Sequence, residues 1–317
     1  MGDPSKQDRG NVENNQIVYL TTFPPRRCGI ATFTYDLTQA MDSLFRPAIK
    51  SNIVAMNTSE VSGYRYSNKV IFQINQKNTD EYITVAEKLN RIDTIKAVSI
   101  QHEFGIFGGE WGLDLIPFLK TLTKPKVITF HSVITDPSKR LQEAVRLLAD
   151  NCDAIVVMAQ LSREILIKEY GISAEKIRII PHGIHDKPYV LSGSVKKERS
   201  LRNKTVLTTF GMLHKNKGLE YVIEGLPRVL DKHQDFVYMI VGATHPNILE
   251  TEGETYRNSL TERVYELGVS NHVKFYNKYF STSELLNFLS MTDIYLSTSI
   301  DPGQAVSGTL SYAMGIG

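Results

Sequence analysis

The sequence predicts an α/β fold made of parallel sheets covered by helices. Short apolar runs alternate with amphipathic helical patterns along the whole chain, and glycine, proline or asparagine mark most of the joints. A polar, charged segment at 192–200 interrupts this alternation, and a second series of strands and helices follows it. Because 317 residues are enough for two domains, we predict two doubly wound domains joined by a linker at 191–204.

The first series predicts a domain over residues 17–190. Its predicted strands are 17–21, 51–56, 70–73, 97–100, 126–130, 154–158 and 177–180. Its predicted helices are 32–44, 80–92, 112–122, 138–149 and 161–169. Residues 1–16 are polar and lack aromatic side chains, so we expect a disordered tail there.

The second series predicts a domain over residues 205–317. Its predicted strands are 205–210, 237–241, 273–276 and 294–297. Its predicted helices are 218–229, 255–267, 282–289 and 307–314. The last predicted helix closes on glycine where a further strand is due. We therefore expect this domain to be incomplete.

Composition excludes several classes of function. The chain is 42% hydrophobic and 22% charged, with a net charge of +2 and no dense basic run, so no nucleic-acid partner is expected. Cys28 and Cys152 lack metal-ligand spacing, which predicts no metal and a reduced, cytoplasmic setting. No apolar run has the length of a membrane span, which leaves only peripheral membrane contact open.

The most informative segment joins a strand to a helix through a glycine turn that carries lysines. Gly211 lets the backbone approach a ligand, Lys217 adds a charge, and the helix that starts at Gly218 presents free N–H groups. These are the features of a phosphate site. The alternative is an ordinary loop with solvated lysines.

A second helix start in the same domain favours a diphosphate. Ser307, Gly308 and Thr309 offer hydroxyl groups and a close backbone approach at the beginning of the last predicted helix. Gly242 follows another strand of the same domain. Two such anion-facing helix starts beside Lys217 suit two linked phosphates better than one accidental anion.

In the first domain, candidate residues follow three predicted strands, at the edge where ligands bind in open α/β sheets. Arg26, Arg27 and Gly29 come after the first strand, where they could meet an anionic or hydroxyl-rich ligand or simply lie on the surface. The loop lacks the G-x-G-x-x-G pattern of a dinucleotide site. Cys28 has no base assigned to it, so we do not predict a nucleophile there.

His102 and Glu103 begin a loop rich in aromatic residues and glycine after the fourth strand. No second histidine lies at the offset that a zinc protease needs, so the choice is between a sugar-binding loop and a structural glycine turn. His131 directly follows the fifth strand. That position favours a site residue over a structural histidine.

Taken together, these motifs resemble family 4 of the retaining glycosyltransferases across nearly the whole chain. The segments that carry the resemblance are 22–33, 130–132, 180–183, 211–218 and 241–242. The resemblance implies a GT-B fold with two facing Rossmann-like domains. It also implies a nucleotide-diphosphate sugar, bound mainly by the second domain, with no metal and no other cofactor.

The resemblance assigns roles to the candidate residues. Lys217 would stabilise the leaving diphosphate, the Gly29 loop would close over donor or acceptor, and His131 matches the histidine beside the transferred sugar. Tyr279 and Phe280 fall where the nucleobase packs, and we expect Gly242 to contribute to the same nucleobase and ribose site. The remaining candidates, Arg26, Arg27, His102 and Glu103, would face the acceptor.

Three positions depart from the family's pattern. Met212 stands where an arginine usually accompanies the lysine, and Gln304 and Tyr312 stand where two glutamates usually contact the sugar and the ribose. Gln304 can still bond to a sugar hydroxyl, and Tyr312 can offer one hydroxyl to ribose.

The resemblance implies a retaining, metal-independent hexosyltransferase. It would move mannose or glucose from a nucleotide sugar to a carbohydrate or another hydroxyl acceptor. The departures keep open a nucleotide-sugar-binding or regulatory protein that has lost catalysis. A sugar epimerase or phosphorylase with the same fold is the third hypothesis.

Overall fold

The computed structural model describes residues 15–58, 64–188, 190–197, 201–300 and 306–316. The chain divides into two compact units, the first ending at Pro181 and the second beginning at His182. The predicted boundary lies later, at residue 190. Each unit is described by itself below.

Over the part of the chain that the structure describes, the first unit is built on a seven-stranded sheet in which every pair of neighbouring strands is parallel. The strands are β1 (Asn15–Thr21), β2 (Ile49–Asn57), β3 (Val70–Asn75), β4 (Ile95–His102), β5 (Lys126–Phe130), β6 (Ala154–Val157) and β7 (Ile177–Ile179). Their order is β3-β2-β1-β4-β5-β6-β7. The order reverses between β1 and β4, and in such sheets ligands bind beside the carboxyl ends of those strands.

Helices surround this sheet and bury their apolar stripes against it. They are α1 (Gly29–Phe45), α2 (Thr79–Asn90), α3 (Ile116–Thr121), α4 (Lys139–Asp150) and α5 (Gln160–Lys168). In α4, Leu141, Ala144, Val145 and Leu148 are buried, which is the spacing of one helix face. A 3-10 helix at Glu110–Leu115 precedes α3, so residues 112–122, predicted as one helix, form two short ones.

In the described residues, the second unit has a four-stranded parallel sheet. Its strands are β8 (Thr205–Phe210), β9 (Phe236–Val241), β10 (Val273–Tyr276) and β11 (Ile294–Tyr295), in the order β10-β9-β8-β11. Its helices are α6 (Ser192–Lys197), α7 (Leu219–Leu230), α8 (Pro246–Glu252), α9 (Thr255–Glu266), α10 (Thr282–Ser290) and α11 (Gly308–Met314). The six residues of β9 are all buried, as expected of a central strand.

The structure confirms the α/β prediction, and each predicted strand overlaps an observed one. Two helices were missed, α6 and α8. Of the predicted tail, Asn15 and Gln16 belong to β1, and residues 1–14 lie outside the described residues. Within the predicted linker at 191–204, α6 occupies Ser192–Lys197.

An ion pair between the buried Lys196 and the more exposed Asp293 anchors α6. The ammonium group of Lys196 is buried and donates to the carboxylate of Asp293 and to the carbonyl of Lys204. Asp293 also accepts hydrogen bonds from the Val206 N–H at 2.7 Å and from the Ser192 hydroxyl at 3.0 Å. Burial alone would raise the pKa of Asp293, but these bonds outweigh it, so the pKa is lowered. The pair ties α6 to the start of β8 and to the residue just before β11.

None of the helices in the described part of the chain combines the length and apolar character that a membrane span requires.

Candidate active site

The loop after β8 places Lys217 beside Gly211. A methyl group added to Gly211 would stand 3.5 Å from the Lys217 Nζ atom and 3.2 Å from the Thr309 methyl carbon. Gly211 has a φ of 133° and Gly218 a φ of 59°, which residues with side chains rarely adopt. Gly218 also packs closely on the backbone of Thr298: a Cβ added to Gly218 would lie 2.6 Å from the Thr298 carbonyl oxygen. The two glycines therefore fold the loop back so that its lysine reaches the first turn of α11.

Lys217 is a half-buried cation without a matching anion in the described residues. No described carboxylate forms an ion pair with it. Burial lowers the pKa of its ammonium group, because a charge loses hydration there. Its backbone carbonyl accepts a hydrogen bond from the Thr298 hydroxyl, which fixes the turn that carries it. Such a cation is stabilised when an anion binds beside it.

The first turn of α11 presents the other predicted donor-binding residues. The Ser307 hydroxyl caps the helix by accepting from the Leu310 N–H at 3.2 Å, and it lies 3.0 Å from the Thr309 hydroxyl. Gly308 lies against His182, whose Nε2 atom would be 3.3 Å from an added Cβ. The structure thus brings Lys217, Gly211 and Thr309 together. Gln304 lies outside the described residues.

Gly242, at the end of β9, touches the Gly211 loop directly. Its φ is 141°, and a Cβ there would overlap the Gly211 carbonyl oxygen at 2.1 Å. The Gly211 N–H donates to the Val241 carbonyl at 3.0 Å, and the Leu213 N–H donates to the Ala243 carbonyl at 2.9 Å. Parallel pairing therefore continues past the ends of β8 and β9, and the two loops pack together as one wall.

The predicted nucleobase residues differ in their exposure. The Phe280 ring packs on Phe288 at 4.9 Å, with the Lys278 ammonium 4.7 Å from its centre. Tyr279, in contrast, is 37% exposed, which leaves it the more accessible ring. Tyr312 packs near Phe210, at 6.1 Å between ring centres. The assignment of these residues to base and ribose remains a prediction.

In the first unit, His131 is held in a fixed orientation at the end of β5. Its Nε2 atom lies 2.8 Å from the side-chain oxygen of Gln101, whose amide nitrogen donates to Ser99 at 2.9 Å. With this amide orientation, Gln101 accepts and His131 carries its proton on Nε2. The Phe33 ring of α1 packs on the imidazole edge-to-face at 4.7 Å. The first turns of α1 and the end of β5 therefore form one surface.

Glu103 lies next to this histidine on the neighbouring strand end. Its carboxylate accepts from the Ser132 hydroxyl at 2.7 Å and from the Phe104 N–H at 2.9 Å. Burial raises its pKa, and these two bonds offset the rise only in part. The half-buried carboxylate can still accept a hydrogen bond from a hydroxyl group, as an acceptor-side residue would.

His102 occupies a different environment, and its predicted contact with the acceptor was wrong. The side chain has no exposed surface and lies among the rings of Phe104, Phe107 and Phe130, with centres 5.3 to 5.6 Å away. Burial lowers its pKa to about 4, and the nearby Trp111 backbone offsets this only in part. A neutral, enclosed imidazole fills space here and cannot reach an acceptor.

The loop after β1 is fixed by its own contacts. The Arg26 guanidinium donates to the Met56 carbonyl at 2.9 Å, while Arg27 is exposed. The Cys28 thiol caps α1 by accepting from the Ala31 N–H and lies 2.9 Å from the Thr22 hydroxyl. The space around Gly29 is open, with no atom within 4 Å of an added Cβ. Cys28 is thus a capping residue, and Gly29 begins a helix that is free to approach a ligand.

Sequence reasoning missed one buried charged residue, which lies beside the Gly242 loop of the second unit. Arg257 of α9 is 7% exposed and donates to the Gly242 carbonyl at 2.9 Å and to Glu254 at 3.1 Å. The only signal in the sequence is a glutamate three residues before an arginine at a helix start, and that spacing is common on solvated faces. In the described ranges, His, Cys, Asp and Glu do not gather in groups of three that could hold a metal.

Comparison with known proteins decides the family. The model of glycosyltransferase family 4 matches residues 29–187, and that of glycosyl transferases group 1 matches residues 194–309. The chain belongs to glycosyltransferase family 4. It has the GT-B fold of this family, built from two Rossmann-like units.

Its curated relatives are distant and longer. The mannosylfructose-phosphate synthase of Agrobacterium fabrum is 25% identical over 167 residues, which are 51% of this chain and 36% of that protein. The GPI3 subunit of the Saccharomyces cerevisiae phosphatidylinositol N-acetylglucosaminyltransferase is 26% identical over 153 residues, 47% of this chain and 31% of its own length. The matches thus span about a third of these relatives.

Solved structures share the fold at low identity. Anabaena HepE in complex with UDP and glucose superposes with a TM-score of 0.68 and 15% identity, covering 95% of this chain and 78% of that one. The sucrose-phosphate synthase of Thermosynechococcus elongatus gives a TM-score of 0.72 at 12% identity, covering 96% and 79%.

Proposed function

We propose that this glycosyltransferase moves a hexose, mannose or glucose, from a nucleotide-diphosphate sugar to a hydroxyl acceptor with retention of anomeric configuration and without a metal ion. The observation that carries the proposal is the position of Lys217. Its half-buried ammonium lies beside Gly211 and the first turn of α11, without an ion-pair partner among the described residues. A diphosphate would supply the missing negative charge.

The chemistry rests on electrostatic stabilisation of the leaving group. As the bond between the sugar and the diphosphate breaks, negative charge grows on the phosphate oxygens, and a cation placed there in advance lowers the barrier. Gly211 and Gly308 lack side chains where the phosphates would approach. The Thr309 hydroxyl can donate a hydrogen bond to the same group.

In the first unit, His131 and Glu103 are the groups with the chemistry to receive a sugar. The imidazole is oriented by Gln101, and the carboxylate of Glu103 keeps acceptor capacity beyond its two bonds. We propose that both residues form hydrogen bonds with hydroxyl groups of the sugar or the acceptor. We assign no general base, because in a front-face transfer the departing phosphate can take the acceptor proton.

The relatives support a sugar donor of this class. Anabaena HepE was solved with UDP and glucose and also with UDP-glucose, and a curated relative is a mannosylfructose-phosphate synthase. We carry over the class of ligand, a nucleotide sugar, and leave the choice between uracil and guanine to experiment.

The proposal is tested by a panel of ligands in a thermal-shift assay. We expect one nucleoside diphosphate, and its sugar, to stabilise the protein by about 2.7 kcal/mol at one hundred times its Kd, and the matching monophosphate to stabilise it far less. Product NMR should then show the donor's anomeric configuration, with transfer persisting in EDTA. Binding without transfer to any acceptor would favour a regulatory protein, and a flat panel would refute the proposal.

A further inference from the structure

We propose that Arg257 is a positioning residue for the donor site: its buried guanidinium holds the Gly242 loop against the Gly211 loop that carries Lys217. The inference rests on the proposed function only for its activity readout, because the contact between the two loops can be measured on the free protein.

The first step of the argument is the set of partners around Arg257. Its Nη2 atom donates to the Gly242 carbonyl at 2.9 Å and approaches the Thr244 hydroxyl at 3.4 Å, while Nε donates to Glu254 at 3.1 Å. The N–H of Gly242 donates to the Tyr276 carbonyl at 3.0 Å. Both polar groups of Gly242 are therefore fixed, one of them by a side chain from α9.

The second step is the role of Glu254. Its carboxylate accepts from the Thr244 hydroxyl and from the Asn277 side chain as well as from Arg257. Burial would raise its pKa, but these bonds together lower it, so the group stays ionised. Thr244 follows β9 and Asn277 follows β10. The Glu254–Arg257 pair thus joins the carboxyl ends of two neighbouring strands, where the loops predicted to bind the nucleoside begin.

The third step is the cost of this arrangement. The Nη1 atom of Arg257 is buried and makes no hydrogen bond with a described residue. A buried donor without a partner reduces stability, and a buried ion pair is often no more stable than apolar residues of the same size. Stability alone therefore explains the arginine poorly, whereas the need for a fixed Gly242 carbonyl explains it directly.

The last step links Gly242 to the catalytic lysine. Position 242 has no room for a side chain, because a Cβ added to Gly242 would lie 2.1 Å from the Gly211 carbonyl oxygen. Leu213 and Thr244 form a parallel bridge, and the His245 N–H donates to the Leu213 carbonyl at 3.1 Å. A shift of Gly242 therefore shifts Gly211, and with it the wall beside Lys217.

The test compares Arg257→Lys with Arg263→Lys. Arg263 lies on the same helix, also pairs with glutamates, but is exposed and bonds only to Glu224 and Glu266 in the described structure. We expect Arg257→Lys to raise the donor KM about tenfold or more with little change in acceptor KM. Amide hydrogen exchange at residues 211–213 and 242–245 should accelerate in the free protein. Arg263→Lys should change neither.

The outcomes distinguish the positioning role of Arg257 from the proposed function. Normal donor KM and normal exchange in a folded Arg257→Lys variant would overturn the inference, whatever the donor proves to be. If wild-type protein binds no nucleotide, the proposed function fails, but faster exchange in Arg257→Lys still supports the contact. If Arg257→Lys does not fold, Glu254→Gln is measured instead. Faster loop exchange and weaker donor binding in that variant support the inference, and unchanged values overturn it.

Discussion

Replacing Gly242 with alanine tests the close approach of the two loops that form the donor site. The added Cβ would lie 2.1 Å from the Gly211 carbonyl oxygen, whereas ordinary van der Waals contact begins at 3.4 Å. The backbone must therefore open by the difference, 3.4 − 2.1 = 1.3 Å. Because the obstacle is a backbone atom and not a mobile side chain, the strain cannot be relieved by a new rotamer.

The size of the effect follows from a matched control. Gly268 also has a positive φ, 67°, but no atom lies within 4 Å of its Cβ position. Gly268→Ala therefore carries only the backbone cost, about 1–2 kcal/mol. Gly242→Ala adds overpacking and a φ of 141° that is almost exclusive to glycine, so we expect it to lower the free energy of unfolding by at least about 1–3 kcal/mol more than the control.

The assay is urea unfolding followed by circular dichroism, with donor binding measured on each folded variant. Since the displaced Gly211 lies beside Lys217, donor affinity should fall in Gly242→Ala and stay unchanged in Gly268→Ala. Equal destabilisation together with equal donor affinity in the two variants would refute the reasoning.

The other predictions concern charge. Burial lowers the pKa of Lys217, so its ammonium group loses its proton at a lower pH than that of an ordinary lysine. As the pH rises, the affinity for nucleoside diphosphate should therefore begin to fall at a correspondingly lower pH. Lys217→Arg, which stays charged, should flatten this profile in calorimetric titrations, and identical profiles would exclude the lysine from binding. The second prediction is that Asp293→Asn lowers the free energy of unfolding by about 1–3 kcal/mol near neutral pH, because the buried Lys196 ammonium loses its charged partner. The pKa of Asp293 is lowered by folding, so its contribution is present above about pH 4 and lost as pH falls through the folded pKa. A pH-independent difference between Asp293→Asn and wild type would contradict this.

The sheets could be predicted because their strands are rich in apolar and β-branched residues. β5, β8 and β10 combine such residues with clear turn signals at their ends, and their bounds were predicted correctly. β4 is longer than predicted because its last residues, Gln101 and His102, are polar yet pair with β5. The local sequence pattern identifies strands, but hydrogen bonding with the neighbouring strand determines where they end.

Features that depend on distant partners could not be predicted. The segment with Lys196 looked like a solvated linker, because its anion, Asp293, lies 97 residues away in sequence. His102 looked like a ligand-facing residue, but three phenylalanine rings enclose it. Arg257 looked like one more charge on a helix surface. In each case a contact between elements, invisible to periodicity, decides whether a polar side chain is a site residue or part of the core.

The most direct test of the account is the rate of sugar transfer after removal of the Lys217 ammonium. Lys215 provides the control, since it belongs to the same 3-10 turn but is exposed, and its ammonium group lies 3.9 Å from Glu252. With a donor from the ligand panel, Lys217→Ala should lower kcat/KM by about 10²–10³, the loss of one group that stabilises the leaving charge. Lys215→Ala should stay near the wild-type rate. Near-normal transfer by Lys217→Ala, or equal losses in the two variants, would contradict the claim that this lysine holds the departing diphosphate.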